Sequence, residues 1–227
     1  MCRAVVFVLG LGIAAQVAGQ VDTVLFDPAP DRTLMVTTAR TLPTDSSHFS
    51  IMASLTSGVW SHGITDRLMI TVASPAWTIF LRTAIVGWNV KFRVHERDGL
   101  AVAIGDFGVG AATFEAVNST TWMVHWPYVS VTVASPHLQA TVNTGFGMGD
   151  ALFTRPLGER TVVQMSLMTP LGRRALLFGE FTALYASYTV SALGVRVWDG
   201  RYFMDMGGVF NVSNLKPLPW FSIGGRL

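Results

Sequence analysis

The segment from His137 to Met148, HLQATVNTGFGM, alternates along its whole length. Leu138, Ala140, Val142, Thr144 and Phe146 form one row. Gln139, Thr141, Asn143 and Gly145 form the other. Successive side chains of a strand point to opposite faces, so this segment reads as a strand with one apolar and one polar side. An amphipathic helix would instead repeat its apolar residues every three to four positions. The same period of two recurs outward from this segment in both directions. Val129, Val131 and Val133 oppose Ser130 and Thr132. Leu68, Ile70 and Val72 oppose Met69 and Thr71. Val90, Phe92 and Val94 oppose Asn89, Lys91 and Arg93. Further on, Met165 and Leu167 oppose Gln164 and Ser166, and Leu193, Val195 and Val197 oppose Gly194 and Arg196. Met204, Met206 and Gly208 oppose Asp205 and Gly207. Phe221, Ile223, Gly225 and Leu227 oppose Ser222, Gly224 and Arg226.

Composition says where such strands belong. Of 227 residues, 50% are apolar and 13% are charged, with a mean hydropathy of +0.43. A soluble domain carries about 25% charged residues. After residue 20 no uninterrupted apolar run reaches the roughly 18 residues a membrane helix needs. Alternating strands resolve this, because only helices and closed barrels satisfy every backbone polar group in lipid. A barrel has an apolar outer band and a polar interior, so its hydropathy is moderate without a continuous membrane-length apolar run. Short polar turns separate many of the strands: Thr65–Arg67, Glu96–Gly99, Ala134–Pro136, Pro170–Arg173 and Trp198–Arg201. The longer stretches Pro75–Ala84, Ala112–Thr121, Gly149–Arg160 and Asn211–Pro217 alternate with these turns as loops at the other end.

Adding His48–Ile64, Leu100–Gly110 and Arg174–Tyr185 gives eleven segments. A reversal near Thr56-Ser57-Gly58 splits the long His48–Ile64 segment and gives twelve, an even number as bacterial barrels require. Ten is the alternative if one segment does not span. The expected fold is therefore an all-β, antiparallel up-and-down transmembrane barrel over residues 47–227. Trp60, Trp77, Trp122, Trp126, Tyr128, Tyr185, Trp198, Tyr202 and Trp220 lie near strand ends and are expected in the interfacial girdles.

Met1–Gly19 has a positive residue (Arg3), an apolar run over Ala4–Ala15 and a small-residue exit, the anatomy of an export signal. Residues 20–46 lack alternation and read as a periplasmic lead-in. The only cysteine, Cys2, lies in the signal, so no disulfide or thiolate chemistry is expected in the exported chain.

In this order the segments resemble a family of small bacterial outer-membrane β-barrel proteins with no assigned activity. The likeness lies in TARTLP (Thr38–Pro43), HGITDRLMI (His62–Ile70) and KFRVHERDGLAVAIGDFGVG (Lys91–Gly110). It continues in PYVSVTVAS (Pro127–Ser135), GEFTALY (Gly179–Tyr185), GVRVWDGRYFMDMG (Gly194–Gly207) and PLPWFSIGGRL (Pro217–Leu227). The resemblance implies fold and location and transfers no catalytic motif. The chain departs from it in lacking a glycine before HFS and in ending on Leu227 where many barrels end on an aromatic residue.

Chemistry is sparse. His48, His62, His95, His125 and His137 are scattered, with no metal-ligand spacing, and no cofactor motif occurs. There is no basic run for nucleic acid, despite a pI near 9.0. The expected partners are outer-membrane lipid, the barrel-insertion machinery through the terminal strand Trp220–Leu227, and small solutes. One constellation of charges stands out: Glu180, Arg196 and Asp205, which share the parity of the polar face, with Lys91 and Asp106. Arg or Lys facing lipid at mid-bilayer costs about 2–4 kcal/mol, so these charges are expected in the lumen. Index sums place Arg196 within a diagonal step of Asp205, Glu180 about three residues from Arg196, and Lys91 a diagonal step from Asp106. They either fill and rigidify the interior or line a narrow conducting bore. Two alternatives remain at this point: a lipid-modifying hydrolase using His125 with Ser130 or His62 with Ser61, and a secreted β-sandwich binding module.

Overall fold

The computed structural model describes residues 32, 36–52, 57–75, 83–113, 121–149, 161–184, 188–211 and 217–227. The export signal expected over residues 1–19 lies outside them. The strands are β1 (Ser47–Met52), β2 (Ser57–Gly63), β3 (Leu68–Pro75), β4 (Thr83–Arg97), β5 (Leu100–Thr113) and β6 (Thr121–Ala134). They continue as β7 (Gln139–Phe146), β8 (Met148–Gly149), β9 (Thr161–Gly172), β10 (Ala175–Leu184), β11 (Tyr188–Asp199), β12 (Tyr202–Asn211) and β13 (Pro217–Arg226). Strand β8 keeps the β7 register on β6, with Val124 opposite Gly149, so the two are one pass. The ladder lapses at Gly147, beside Pro127, which has no N–H to donate. Each sequential pass pairs antiparallel with the next, and β1 pairs with β13 (His48 opposite Arg226), so twelve passes close into a barrel. Closure leaves no sheet edge and pairs the strands in one continuous ring. It also removes the β-sandwich alternative, which needs two facing sheets.

The long His48–Ile64 segment does divide, with Met52 opposite Ser57. Ser57 and Gly58 already belong to β2, and Thr56 lies outside the described residues. Short turns collect at the end that carries Ser47 and Leu227, which is periplasmic in barrels of this kind. The β4–β5 turn, Asp98-Gly99, has φ of 51° and 79°. Positive φ at both central residues is the hairpin turn whose twist matches the strands. The connections at the extracellular end, residues 53–56, 76–82, 114–120, 150–160, 185–187 and 212–216, lie outside the described residues.

The two faces follow the alternation. Ile51, Val72, Val90, Phe92, Ile104, Val129, Leu167, Leu193, Phe221 and Ile223 point outward and are exposed, a lipid-facing band. Ser50, Ser61, Asn89, Lys91, Ser130, Thr132, Thr141, Asn143, Ser166, Arg196, Asp205 and Ser222 point inward and are buried. The aromatic residues divide differently from expectation. Trp60 and Tyr202 face out, as girdle residues do. Tyr128, Trp198 and Trp220 are buried in the interior, and Trp126 faces inward beside Phe107. A small barrel has to fill its own bore, and aromatic volume does that. Trp77 and Tyr185 lie outside the described residues.

Candidate functional site: the barrel bore

Four of the five singled-out charges are inside. The β11–β12 turn is tight, so Arg196 stands directly opposite Asp205, closer than a diagonal step. Arg196 Nε donates to Asp205 Oδ1 at 2.7 Å and an Nη to Oδ2 at 3.2 Å. Ser222 Oγ donates to Asp205 Oδ2 at 3.0 Å, and the Arg196 guanidinium lies 5.0 Å from the Phe203 ring centre. Both ion-pair members are withdrawn from solvent, at 0% and 1% exposure. A forked pair with further hydrogen bonds is the geometry that a buried charge pair needs. Glu180 is opposite Ala192, four residues along β11 from Arg196 and one more than the index sum gave. Lys91 is fully buried opposite Gly105.

Asp106 does not share the lumen with Lys91. The β4–β5 register shifts between Arg93 and His95, so Asp106 stands opposite Val90 instead of Lys91. One bulge moves every residue beyond it to the other face. Asp106 therefore lies on the outer face with Val90, where its Oδ1 is 3.0 Å from His125 Nδ1. The same alternation separates the hydrolase pairs. Ser61 is buried inside against Thr71 Oγ1, whereas its chain neighbour His62 faces out and meets Ser47 Oγ at 2.8 Å. Ser130 is buried in the bore, whereas His125 is on the outer face. Neither histidine shares a face with the serine proposed for it.

The bore holds a group that the sequence did not announce. Residues 20–46 are expected in the periplasm, but the described part runs up inside the barrel. Val36, Thr38, Ala39 and Leu42 are fully buried. Their backbone is held by the wall. Val36 N donates to Glu180 Oε1 (3.3 Å), Ala39 N to Thr132 Oγ1 (2.8 Å), and Asn143 Nδ2 to Thr37 O (2.8 Å). Lys91 Nζ donates to Thr38 O at 3.0 Å and to Thr37 Oγ1 at 3.2 Å, and Asn89 Nδ2 to Thr37 Oγ1 at 3.4 Å. Arg32, bridged to Thr37, donates to Ser50 Oγ, and its carbonyl accepts from Arg196. At the rim Thr41 Oγ1 donates to Asp66 O, while Thr44 N and Oγ1 both donate to Asp66 Oδ1. Those two hydrogen bonds hold the Asp66 carboxyl below its ordinary value. Thus Lys91 and Glu180 grip a strap of chain, and Asn89, Thr132 and Asn143 join them. The strap carries no period-two signal, because it contacts the wall largely through backbone atoms and short hydroxyls, with Ala39 packed on Ala101 and Ala103.

A closed barrel of twelve passes, apolar outside and polar within, is the architecture of an outer-membrane β-barrel. No protein-family model matches the chain, and no curated protein matches it. The fold is similar to that of the KdgM porin, with a TM-score of 0.53 at 5% identity over 80% of this chain and 96% of that one. A second KdgM structure, in complex with disordered oligogalacturonate, gives 0.52 at 5% identity over the same shares. The NanC porin gives 0.47 at 10% identity over 80% and 97%.

Proposed function

We propose that this chain is a non-enzymatic outer-membrane channel for small solutes whose bore is held shut by its own residues 36–42. The observation that carries this reading is how the strap is seated. It is held by hydrogen bonds to polar wall side chains, with a small apolar contact of Ala39 on Ala101 and Ala103. Polar groups lining a bore can exchange such bonds for water or solute when the strap leaves. Lys91, Glu180, Arg196 and Asp205 then form the charged lining, and the Arg196–Asp205 pair braces the wall. The likeness to a porin fold supports a conduit and leaves the cargo open. Export through residues 1–19 and insertion through Trp220–Leu227 belong to the same reading. N-terminal sequencing of outer-membrane material is expected to begin after Gly19.

Liposome swelling tests the reading. Vesicles carrying the chain without residues 20–46 are expected to swell in pentose solutions faster than vesicles carrying the exported chain. Equal swelling of both at the protein-free rate would exclude a conduit.

A further inference from the structure

We propose that the extracellular half of the bore is a binding vestibule for uncharged aromatic or aliphatic small molecules, which makes these the preferred cargo. This rests on the channel reading and names its substrate class.

The bore is divided by depth. Lys91, Arg196 and Asp205 sit in the halves of β4, β11 and β12 nearest the periplasmic turns, and Glu180 sits at the middle of β10. On the β4–β6 side a polar floor lies just above Lys91. Tyr128 Oη donates to Asn89 Oδ1 at 2.8 Å, and Asn89 reaches Thr37 of the strap. Among the described residues, the inward positions on the extracellular side of that floor carry no charged side chain. On β5 and β6 they are Phe107, Val109, Val124 and Trp126, with Asn89 opposite Phe107 and Phe107 opposite Trp126 fixing the face. Across the bore Val190 and Val209 also face inward, beside the polar Thr182 and Gln164.

Two further observations show this surface is accessible and shaped for rings. Phe107 faces inward yet is 43% exposed, and Leu218, on the inward row of Val209, is 71% exposed. The Phe107 and Trp126 rings lie 5.5 Å apart and 26° from parallel, a stacked pair that a further ring can extend on the exposed Phe107 side. A neutral apolar molecule entering this zone loses water from both surfaces, which is favourable. A carboxylate entering it loses hydration and finds no cation among the described residues at that depth.

Tryptophan quenching in detergent-solubilised barrels tests the vestibule, with 4-bromobenzyl alcohol and 4-bromobenzoate as probes. The alcohol is expected to give a saturable quenching component on top of the linear one from micelle partitioning. The benzoate is expected to bind at least about tenfold more weakly. Val109→Asp and, as a milder variant, Phe107→Ser are each expected to weaken the alcohol component about tenfold while retaining heat-modifiable gel migration. Purely linear quenching of the wild type, equal saturation by both probes, or unchanged saturation in folded variants would overturn the proposal. Saturable binding in a barrel that passes no solute would sink the channel reading and leave the vestibule. Solute passage without saturable binding would do the reverse.

Discussion

Replacing Lys91 by methionine tests whether the strap is seated by the contacts described. Lys91 Nζ donates to Thr38 O at 3.0 Å and to Thr37 Oγ1 at 3.2 Å. Methionine nearly conserves the volume and removes both donors. A hydrogen bond from a charged group contributes about 1.5–3 kcal/mol, so seating is weakened by about 2 kcal/mol. Tenfold in an equilibrium corresponds to about 1.4 kcal/mol, so the unseated fraction rises about 30-fold. Thr38 is fully buried, which makes it a reporter. In a Cys2→Ser background, Thr38→Cys is the only thiol, and a hydrophilic maleimide reaches it only when the strap leaves. Where reseating is faster than labelling, the labelling rate tracks the unseated fraction. The Lys91→Met barrel is expected to label about 30-fold faster than the parent. Equal rates in two barrels of equal heat-modifiability would refute the reasoning, and would mean that Lys91 does not hold the strap.

Other outcomes follow from the same geometry. Asp205→Ala strands the buried Arg196 charge and is expected to cost about 3–5 kcal/mol in urea unfolding from vesicles, with Arg196→Met/Asp205→Leu recovering most of it. Gly207→Ala puts a Cβ 2.2 Å from the Leu193 carbonyl oxygen, where only backbone movement can relieve it. It is expected to lower the urea midpoint by about 1–3 kcal/mol equivalent, whereas Gly200→Ala, at φ 56° with no atom nearby, is expected to cost less. The Asp66 carboxyl is held below its ordinary 3.8 by Thr44. Its anchoring contribution is therefore complete above that value and lost as pH falls through the lower folded one. Amide exchange at Thr44, normalised for intrinsic rate, is expected to lose protection only at acid pH, and Asp66→Asn is expected to abolish that dependence.

The barrel was legible because period two is written into the chain. The rows read from Leu138–Phe146, Val129–Val133 and Phe221–Leu227 are the rows that face lipid. Arg196 and Asp205 were legible because a short turn fixes register over the next few residues. Asp106 was misread because the β4 register shift at Val94 leaves no composition signal. It reverses faces downstream, so the Lys91–Asp106 contact is replaced by an outward Asp106–His125 pair. The strap was missed for a different reason. Its partners, Asn89, Lys91, Thr132, Asn143 and Glu180, are spread over four strands, and no local pattern encodes such distant contacts. The interior aromatic residues were misassigned because strand-end position alone does not distinguish a girdle ring from one that fills the bore.

The most direct test is current through the barrel in a planar bilayer, recorded for the exported chain and for the chain lacking residues 20–46. The account predicts rare, small unit steps for the first and frequent, larger ohmic steps for the second. Flat traces from a folded barrel without its strap would contradict it.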